Sequence, residues 1–268
     1  MNQISYASAY HFFDILQTIK KVNKIQSRIK PLSCRLKSKG GRFNGQIIHP
    51  RRGDYSKRIY RYIDFKRNIL PEYKALVCHS LYDPNRSANI CLVCYPVGIF
   101  SYILQPTKLH TGDVIINLSQ SSTNFGDSLS LQGIPSGRLI HNIQGKFTRA
   151  AGCSTILIRK DFDQALTKLK SGELRFFHTS VIASLGCIGN ENHFLRNYKY
   201  AGTIRRLGKR PRTRPSSMNP VDHPMGGRTR GGVQPMNRKG IITLHRKTVK
   251  KHHPSILYTK RQLKLLRL

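Results

Sequence analysis

Between residues 57 and 67 hydrophobic and polar positions alternate, with Ile59, Ile63 and Phe65 on one face and Tyr60, Tyr62 and Lys66 on the other. That spacing predicts a half-buried strand whose wet face is aromatic and basic. Further strands are predicted at 75–81, 89–95, 100–104, 113–118, 138–143, 155–159 and 174–183. Turn residues separate them at Asp83-Pro-Asn85, Pro96-Val-Gly98, Thr111-Gly-Asp113, Gly126-Asp127, Pro135-Ser-Gly137 and Ser171-Gly172. Strands this short with turns this frequent predict small barrels or sandwiches rather than a parallel α/β sheet. Two small barrels fit the length, joined near the Ser/Asn/Gly stretch from 119 to 127. A helical period appears early, where Phe12, Ile15, Leu16, Ile19 and Val22 are followed by Lys20, Lys21 and Lys24. An arm docked on RNA or a short peripheral helix is favoured there over an organelle presequence, because Asp14 and the lack of an obvious cleavage pattern count against the latter. No apolar run reaches the ~20 residues of a membrane span.

Charge changes the picture. The 268 residues carry 47 Lys or Arg against 12 Asp or Glu, a formal charge of +35. Such a chain repels itself unless a polyanion or salt offsets the charge, so RNA, DNA and anionic membrane are the candidate partners. The excess is uneven: residues 75–145 hold three basic and three acidic side chains, whereas 201–268 hold eighteen and one, the one being Asp222. The middle can fold on its own core, and the flanks suit a phosphate surface.

Catalytic and metal chemistry find little support. The six cysteines are dispersed except for Cys91-Leu-Val-Cys94, and no second pair or matching histidines complete a zinc set. In a strand, residues three apart point to opposite faces, so Cys91 and Cys94 read as buried thiols in a reducing compartment. Gly40-Gly-Arg-Phe-Asn-Gly45 lacks the Lys-Ser/Thr of a phosphate-binding P-loop and reads instead as a basic glycine loop beside RNA. Twelve scattered carboxylates do not make a magnesium nuclease. The expectation is therefore no catalytic residue, no protein-bound metal and no cofactor, apart from magnesium or potassium held mainly by any bound RNA.

Seven motifs fix the reading. Tyr62-Ile-Asp-Phe-Lys-Arg67, Tyr82-Asp-Pro-Asn-Arg-Ser-Ala88, His141-Asn-Ile143, Arg149-Ala-Ala-Gly152, Ser171-Gly-Glu-Leu-Arg175, Gly186-Cys-Ile-Gly-Asn190 and Met218-Asn-Pro-Val-Asp-His-Pro224 follow one another in the order of the universal large-ribosomal-subunit protein L-two family. The chain resembles that family from about residue 41 to 240. The resemblance implies a mainly β fold: an oligonucleotide-binding-type barrel at 41–122 and an SH-three-like barrel at 123–200. A basic N-terminal arm at 1–40 and an extended rRNA-threading tail at 201–268 flank them. It implies a structural, non-enzymatic constituent of the large subunit that binds rRNA near the peptidyl transferase region. Assembly, subunit association and tRNA placement are the implied roles. The implied partners are large-subunit rRNA, neighbouring large-subunit proteins, the small subunit at the inter-subunit face and, indirectly, tRNA.

Structured RNA is bound through shape, phosphate and 2′-hydroxyl contacts, for which Arg, Lys, Asn and backbone amides suffice. The candidate rRNA-binding residues beside the first barrel are Arg42, Asn44, Arg51, Arg52, Lys57, Arg58, Arg61, Lys66 and Arg67, with Arg86 in the turn motif. His141, Lys146, Arg149 and Arg175 follow in the second barrel. Base stacking and packing on their own sheet both stay open for Tyr60 and Tyr62, as do local Glu173 pairing and RNA contact for Arg175. In the tail, Arg205, Arg206, Lys209, Arg210, Arg212 and Arg214 share space with Gly208, Pro211 and Pro215, which predict an extended strand rather than a continuous helix. Asn219, Asp222, His223, Gly226, Gly227, Arg228 and Arg230 complete the set, and the resemblance gives His223 an RNA-positioning role.

The chain departs from the family in places. His223-Pro-Met-Gly-Gly-Arg-Thr-Arg-Gly-Gly232 lacks the family's second histidine and glutamate, Arg52-Gly-Asp-Tyr-Ser-Lys-Arg58 lacks its loop histidine, and the chain has no Trp. These losses point to an organellar member, with the mitochondrial matrix preferred and the plastid as the alternative. A stand-alone RNA chaperone and an RNA-processing enzyme are the rival functions, and neither explains seven motifs in one order.

Overall fold

The structure is a computed structural model that describes residues 29–36, 41–49, 51–53, 56–96, 98–118, 124–227, 234–244 and 253–266. The described residues fall into two compact units, one within Met1–Leu36, Arg58–Arg196 and Pro254–Leu268, the other within Lys37–Lys57 and Asn197–His253. The early amphipathic segment and the centre of the predicted join, 119–123, lie outside the described residues.

In the first unit β1 (Ser33–Arg35) pairs antiparallel with β4 (Ile59–Arg61), while β2 (Arg42–Phe43) and β3 (Gln46–Ile47) form a hairpin of the second unit. Next come β5 (Lys74–Leu81), β6 (Ile90–Cys94), β7 (Phe100–Leu104) and β8 (Val114–Ile116), an antiparallel sheet ordered β7-β6-β5-β8. Apolar clusters cover both its faces. Ala75, Val77, Cys91, Val93, Ile103 and Ile115 pack on one side, and Cys78, Ile90, Leu92 and Tyr102 on the other. Two-sided burial is why 90–94 is an unbroken apolar run rather than an alternating one. A bulge between Val77 and His79 in β5 breaks the register there. Each fully buried Ile or Leu contributes about 1.5–3 kcal/mol.

The second sheet contains β9 (Ser128–Ser130), β10 (Leu139–His141), β11 (Thr155–Lys160), β12 (Gln164–Lys168), β13 (Leu174–His178), β14 (Ile182–Leu185) and β15 (Ile256–Tyr258). Its order is β15-β13-β12-β11-β10-β14-β9, antiparallel throughout. Along β11 the buried Thr155 and Leu157 alternate with the exposed Ile156 and Ile158, and Leu157 joins Leu129, Ile140, Ala165, Phe177 and Leu185 in one core. The chain is thus mainly β, with an oligonucleotide-binding-type domain followed by an SH-three-like barrel. Among the described residues helix is confined to short pieces, including α1 (Ala201–Arg206) and α2 (Lys260–Leu265). Among the described residues no helix is long and apolar enough to cross a membrane.

Three differences from the sequence expectation have physical causes. The strand expected over 57–67 shrinks to Ile59–Arg61, because Arg67 turns to a left-handed φ of 57° and its N–H donates to Asp64 Oδ1 at 2.8 Å. The strand expected over 174–183 is two strands: the chain turns at His178, whose carbonyl accepts from Val181 N, and β14 leaves β13 to pair with β10 and β9. Within 41–53, which the family resemblance places in the span of the first barrel, Arg51 and Gly53 are hydrogen-bonded to residues 208–210 of the tail.

Candidate nucleic-acid interface

In the second unit a closed loop forms first. Gly41 O accepts from Ile48 N and His49 N, Arg52 N donates to His49 O, and Gly41 N donates to Arg52 O. A Cβ at Gly41 would collide with the His49 carbonyl, so the glycine is what lets the loop close. In the tail, α1 ends where Gly208 takes a φ of 85°, with Gly208 N on Arg205 O and Lys209 N on Ile204 O, the hydrogen bonds of a Schellman cap. From there the chain is extended, and Lys209, Arg210, Arg212 and Arg214 are all exposed, as are Arg205 and Arg206 on the helix.

Loop and tail then meet. Gly53 N donates to Gly208 O at 3.0 Å and Arg210 N to Arg51 O at 2.9 Å, with Arg52 opposite Lys209 in an antiparallel bridge. His49, Arg51, Arg52, Gly208 and Lys209 line a cleft of about 350 Å³ at this junction. Farther along, residues 218–227 fold on themselves: Asn219 O accepts from Asp222 N and His223 N, and Gly227 N donates to Met218 O. A Cβ at Gly226 would strike the Asn219 carbonyl. His223 is buried in this loop, and its Nδ1 accepts from Met225 N at 3.2 Å, which assigns the ring proton to Nε2. Asn219 and Asp222 are exposed beside it.

In the first unit cations gather around a buried carboxylate. Asp83, fully buried, accepts from Arg86 Nε at 2.7 Å and lies 3.6 Å from Arg61 NH1. Phe65 supports two guanidinium groups, Arg149 at 4.7 Å and Arg86 at 5.6 Å from the ring centroid. Tyr60 and Tyr62 pair edge to face at 5.6 Å, and Tyr62 stays half exposed. Lys57, Lys66 and Lys146 are exposed and Arg58 is half-buried. Exposed Asn44, with φ 46°, and exposed Gly227 sit in tight turns of the second unit. The Arg42 side chain, Arg228 and Arg230 lie outside the described residues.

Two candidates, Arg67 and His141, are corrected because they face inward, and a third, Arg175, is half-buried with local partners. Arg67 is 2% exposed; its Nε donates to Asn117 Oδ1 at 2.9 Å and its NH2 to the Gly126 carbonyl at 3.0 Å. Burial lowers its pKa, and Tyr95, Asp64 and Asp127 oppose that. It is a structural cation out of reach of phosphate. His141 is 1% exposed with Nδ1 at 3.1 Å from the Gly186 carbonyl, and burial pushes its pKa down to about 4. Arg175 lies over Phe147 at 4.8 Å, donates to Ser255 Oγ at 3.0 Å and sits 3.8 Å from Glu173, so local pairing takes it.

The cysteines fall as the strand geometry requires. Cys91 faces one core cluster and Cys94 packs against the other beside Cys78. Burial raises the Cys91 pKa to about 12, and all six thiols are free. Among the described residues no group of three or more His, Cys, Asp or Glu is placed to hold a metal ion. The sequence reading missed His49 in the cleft, Asp83 as the anchor of two arginines and Phe65 as their platform; the Asp83-Pro-Asn85 turn was the available signal for the second.

Two small β-domains with a cationic, extended tail define a protein suited to a polyanionic partner. The comparisons narrow the class. Residues 29–117 match the family described as Ribosomal Proteins L2, RNA binding N-terminal domain, and 124–249 match Ribosomal Proteins L2, C-terminal domain. Relatives include "Large ribosomal subunit protein uL2" of Orientia tsutsugamushi (strain Ikeda), 41% identical over 244 residues, covering 87% of this chain and 89% of the relative. Those of Rickettsia felis (strain ATCC VR-1525 / URRWXCal2) and Ruegeria sp. (strain TM1040) are both 40% identical, the former over 87% of this chain and 89% of its own, the latter over 82% of each. The chain belongs to the ribosomal protein L2 family. It is a structural, non-enzymatic constituent of the large ribosomal subunit that binds rRNA.

Proposed function

We propose that this chain lies near the peptidyl transferase region of the large-subunit rRNA and supports assembly, subunit association and tRNA placement. The observation that carries this reading is the tail: an extended run from Lys209 to Arg214 with every cation exposed, leading into the self-closed loop at 218–227. Gly208, Pro211 and Pro215 keep the run from becoming a helix, so it is narrow enough to pass between RNA helices. Asn219, Asp222 and the buried His223 then sit on a loop whose shape is set by the protein itself.

Peptide-bond chemistry belongs to the rRNA in this reading, and magnesium or potassium at the interface is held by RNA oxygens. Neighbouring large-subunit proteins and the small subunit are the protein partners, with tRNA affected through rRNA. The mitochondrial matrix is the proposed location, supported by the absence of Trp and by the altered segment after His223.

The test replaces His223 with Ala in the expressed full-length chain and compares particle assembly with translation by the isolated organelle ribosomes. Assembled particles with reduced translation are expected. Unchanged translation would remove the loop from any role in tRNA placement. Recovery of the wild-type chain from plastid ribosomes instead of mitochondrial ones would overturn the location.

A further inference from the structure

We infer that Met225 is a positioning residue: its thioether sulfur docks the hairpin at 235–243 onto the 218–227 loop, so that the hairpin and the loop holding His223 move as one piece. This rests on the proposed role of that loop in tRNA placement and adds the contact that ties the loop to its neighbour. Met225 reaches in two directions. Its N–H donates to Nδ1 of the buried His223 at 3.2 Å, and its Sδ accepts from Met236 N at 3.3 Å. All three residues belong to the second unit.

The geometry of the hairpin leaves the Met236 amide without an internal acceptor. Asn237 N donates to Ile241 O at 2.9 Å and Thr243 N to Pro235 O at 2.8 Å, one residue to either side of the antiparallel bridge between Met236 and Ile242. Met236 and Ile242 are therefore a non-hydrogen-bonded pair, and the Met236 N–H points out of the hairpin. Met236 is half-buried, so its amide needs an acceptor from elsewhere in the protein. Asn237 Oδ1 closes the turn by accepting from Lys239 N and Ile241 N. A two-stranded hairpin of this size is marginal alone and gains from being docked.

The loop supplies the acceptor through a side chain. Its carbonyls at Met218, Asn219 and His223 accept from amides of the loop itself. A Cβ at Gly226 would strike the Asn219 carbonyl, and one at Gly227 would lie 2.5 Å from Pro220 Cγ, so the two residues after Met225 are pressed onto the loop's own backbone. What reaches the hairpin is the half-buried Met225 side chain, whose three rotatable bonds and polarisable sulfur adapt a weak acceptor to a fixed donor. Among the described residues this is the one hydrogen bond that joins 218–227 to 234–244.

Hydrogen exchange resolved at single amides of the full-length chain tests the contact. Met225→Leu removes the acceptor at similar volume, and Met225→Gln returns an acceptor on a side chain of similar length. In Met225→Leu the Met236 amide is expected to exchange roughly fivefold to tenfold faster, as the loss of one hydrogen bond would give, while the Ile241 amide inside the hairpin keeps its native rate. Met225→Gln should restore protection at Met236. Ribosomes from cells whose only copy carries Met225→Leu should hold the chain at the native level and translate roughly twofold to fivefold more slowly, with recovery in Met225→Gln.

Native exchange at Met236 in Met225→Leu would overturn the contact. Loss of protection in both variants would overturn the sulfur's part as acceptor, and equal acceleration at Ile241 would overturn the hairpin as a separately folded piece docked by it. Faster exchange at Met236 with undiminished translation, where His223→Ala does slow translation, would overturn the positioning role. Undiminished translation in both Met225→Leu and His223→Ala would instead count against the loop's role in tRNA placement.

Discussion

Residues 75–145 and residues 201–268 solve different problems with the same twenty amino acids. The first stretch balances three basic against three acidic side chains and buries Ala75, Val77, Ile90, Ile103, Ile115 and Ile140 almost completely. The second carries eighteen cations against one carboxylate, and its described buried residues are Gly208, His223 and Gly226. One is held by apolar burial, which needs no partner. The other is held by backbone hydrogen bonds at glycines, caps and turns and, near its end, by the pairing of β15 with β13, and its charge calls for a polyanion. The lesson is that a single chain can divide self-supporting structure from structure that is completed on its ligand, and that the division is visible in the ratio of carboxylates to cations.

The largest expected effect breaks this comparison from the tail side. Reversing Arg205, Arg206, Lys209, Arg210, Arg212 and Arg214 to Glu should abolish incorporation into the large subunit, read as loss of the chain from the particle fraction. The thermal unfolding of the barrels should barely move. Incorporation at the native level would show that the tail's charge is dispensable.

A smaller effect comes from the first unit. Arg67→Ala removes a buried cation from Asn117 Oδ1 and the Gly126 carbonyl and leaves Asp64 and Asp127 without its compensating charge. A loss of about 3–5 kcal/mol in folding stability is expected, measured by denaturant unfolding. The salt dependence of rRNA binding should not change in the fraction that folds, since Arg67 is almost wholly buried; a lower salt slope would return it to the interface.

The smallest effect is in pH. His141 is held neutral in the fold with a pKa of about 4, below the ordinary value of about 6.5 in an unfolded chain. The unfolded state therefore takes up a proton first as pH falls. The stability contributed by neutral His141 is full above about 6.5 and is lost as pH drops towards about 4, by roughly 3 kcal/mol in all. His141→Gln should flatten the stability profile across that window relative to the native chain, and an unaltered slope would show that His141 titrates normally.

These contrasts also explain what the sequence could reveal. Strands at 75–81 and 100–104 were legible because their apolar residues report burial directly, and Cys91 and Cys94 fell on opposite faces as strand periodicity requires. That Gly208, Pro211 and Pro215 bar a continuous helix was legible from local backbone preferences, whereas the short α1 that carries Arg205 and Arg206, expected to be extended, was not. What was not legible depends on distant partners. The strand β12, Gln-Ala-Leu-Thr-Lys, has weak β propensity and exists because β11 and β13 pair with it on both sides. Arg67 and His141 looked like interface groups by type, and only the arrival of Asn117, Gly126 and Gly186 shows them turned inward. Likewise nothing near Gly53 in sequence announces Gly208.

The central claim, that the neutral stretch is held by an apolar core while the cationic stretch is held on rRNA in the large subunit, is tested most directly by sedimentation. Lysate of cells that carry the chain is run through a sucrose gradient in high salt, with and without ribonuclease, and the chain is followed by mass spectrometry against other large-subunit proteins. The account predicts stoichiometric migration with the large particle until the RNA is cut. Release to the top of the gradient while the particle stays whole would contradict it.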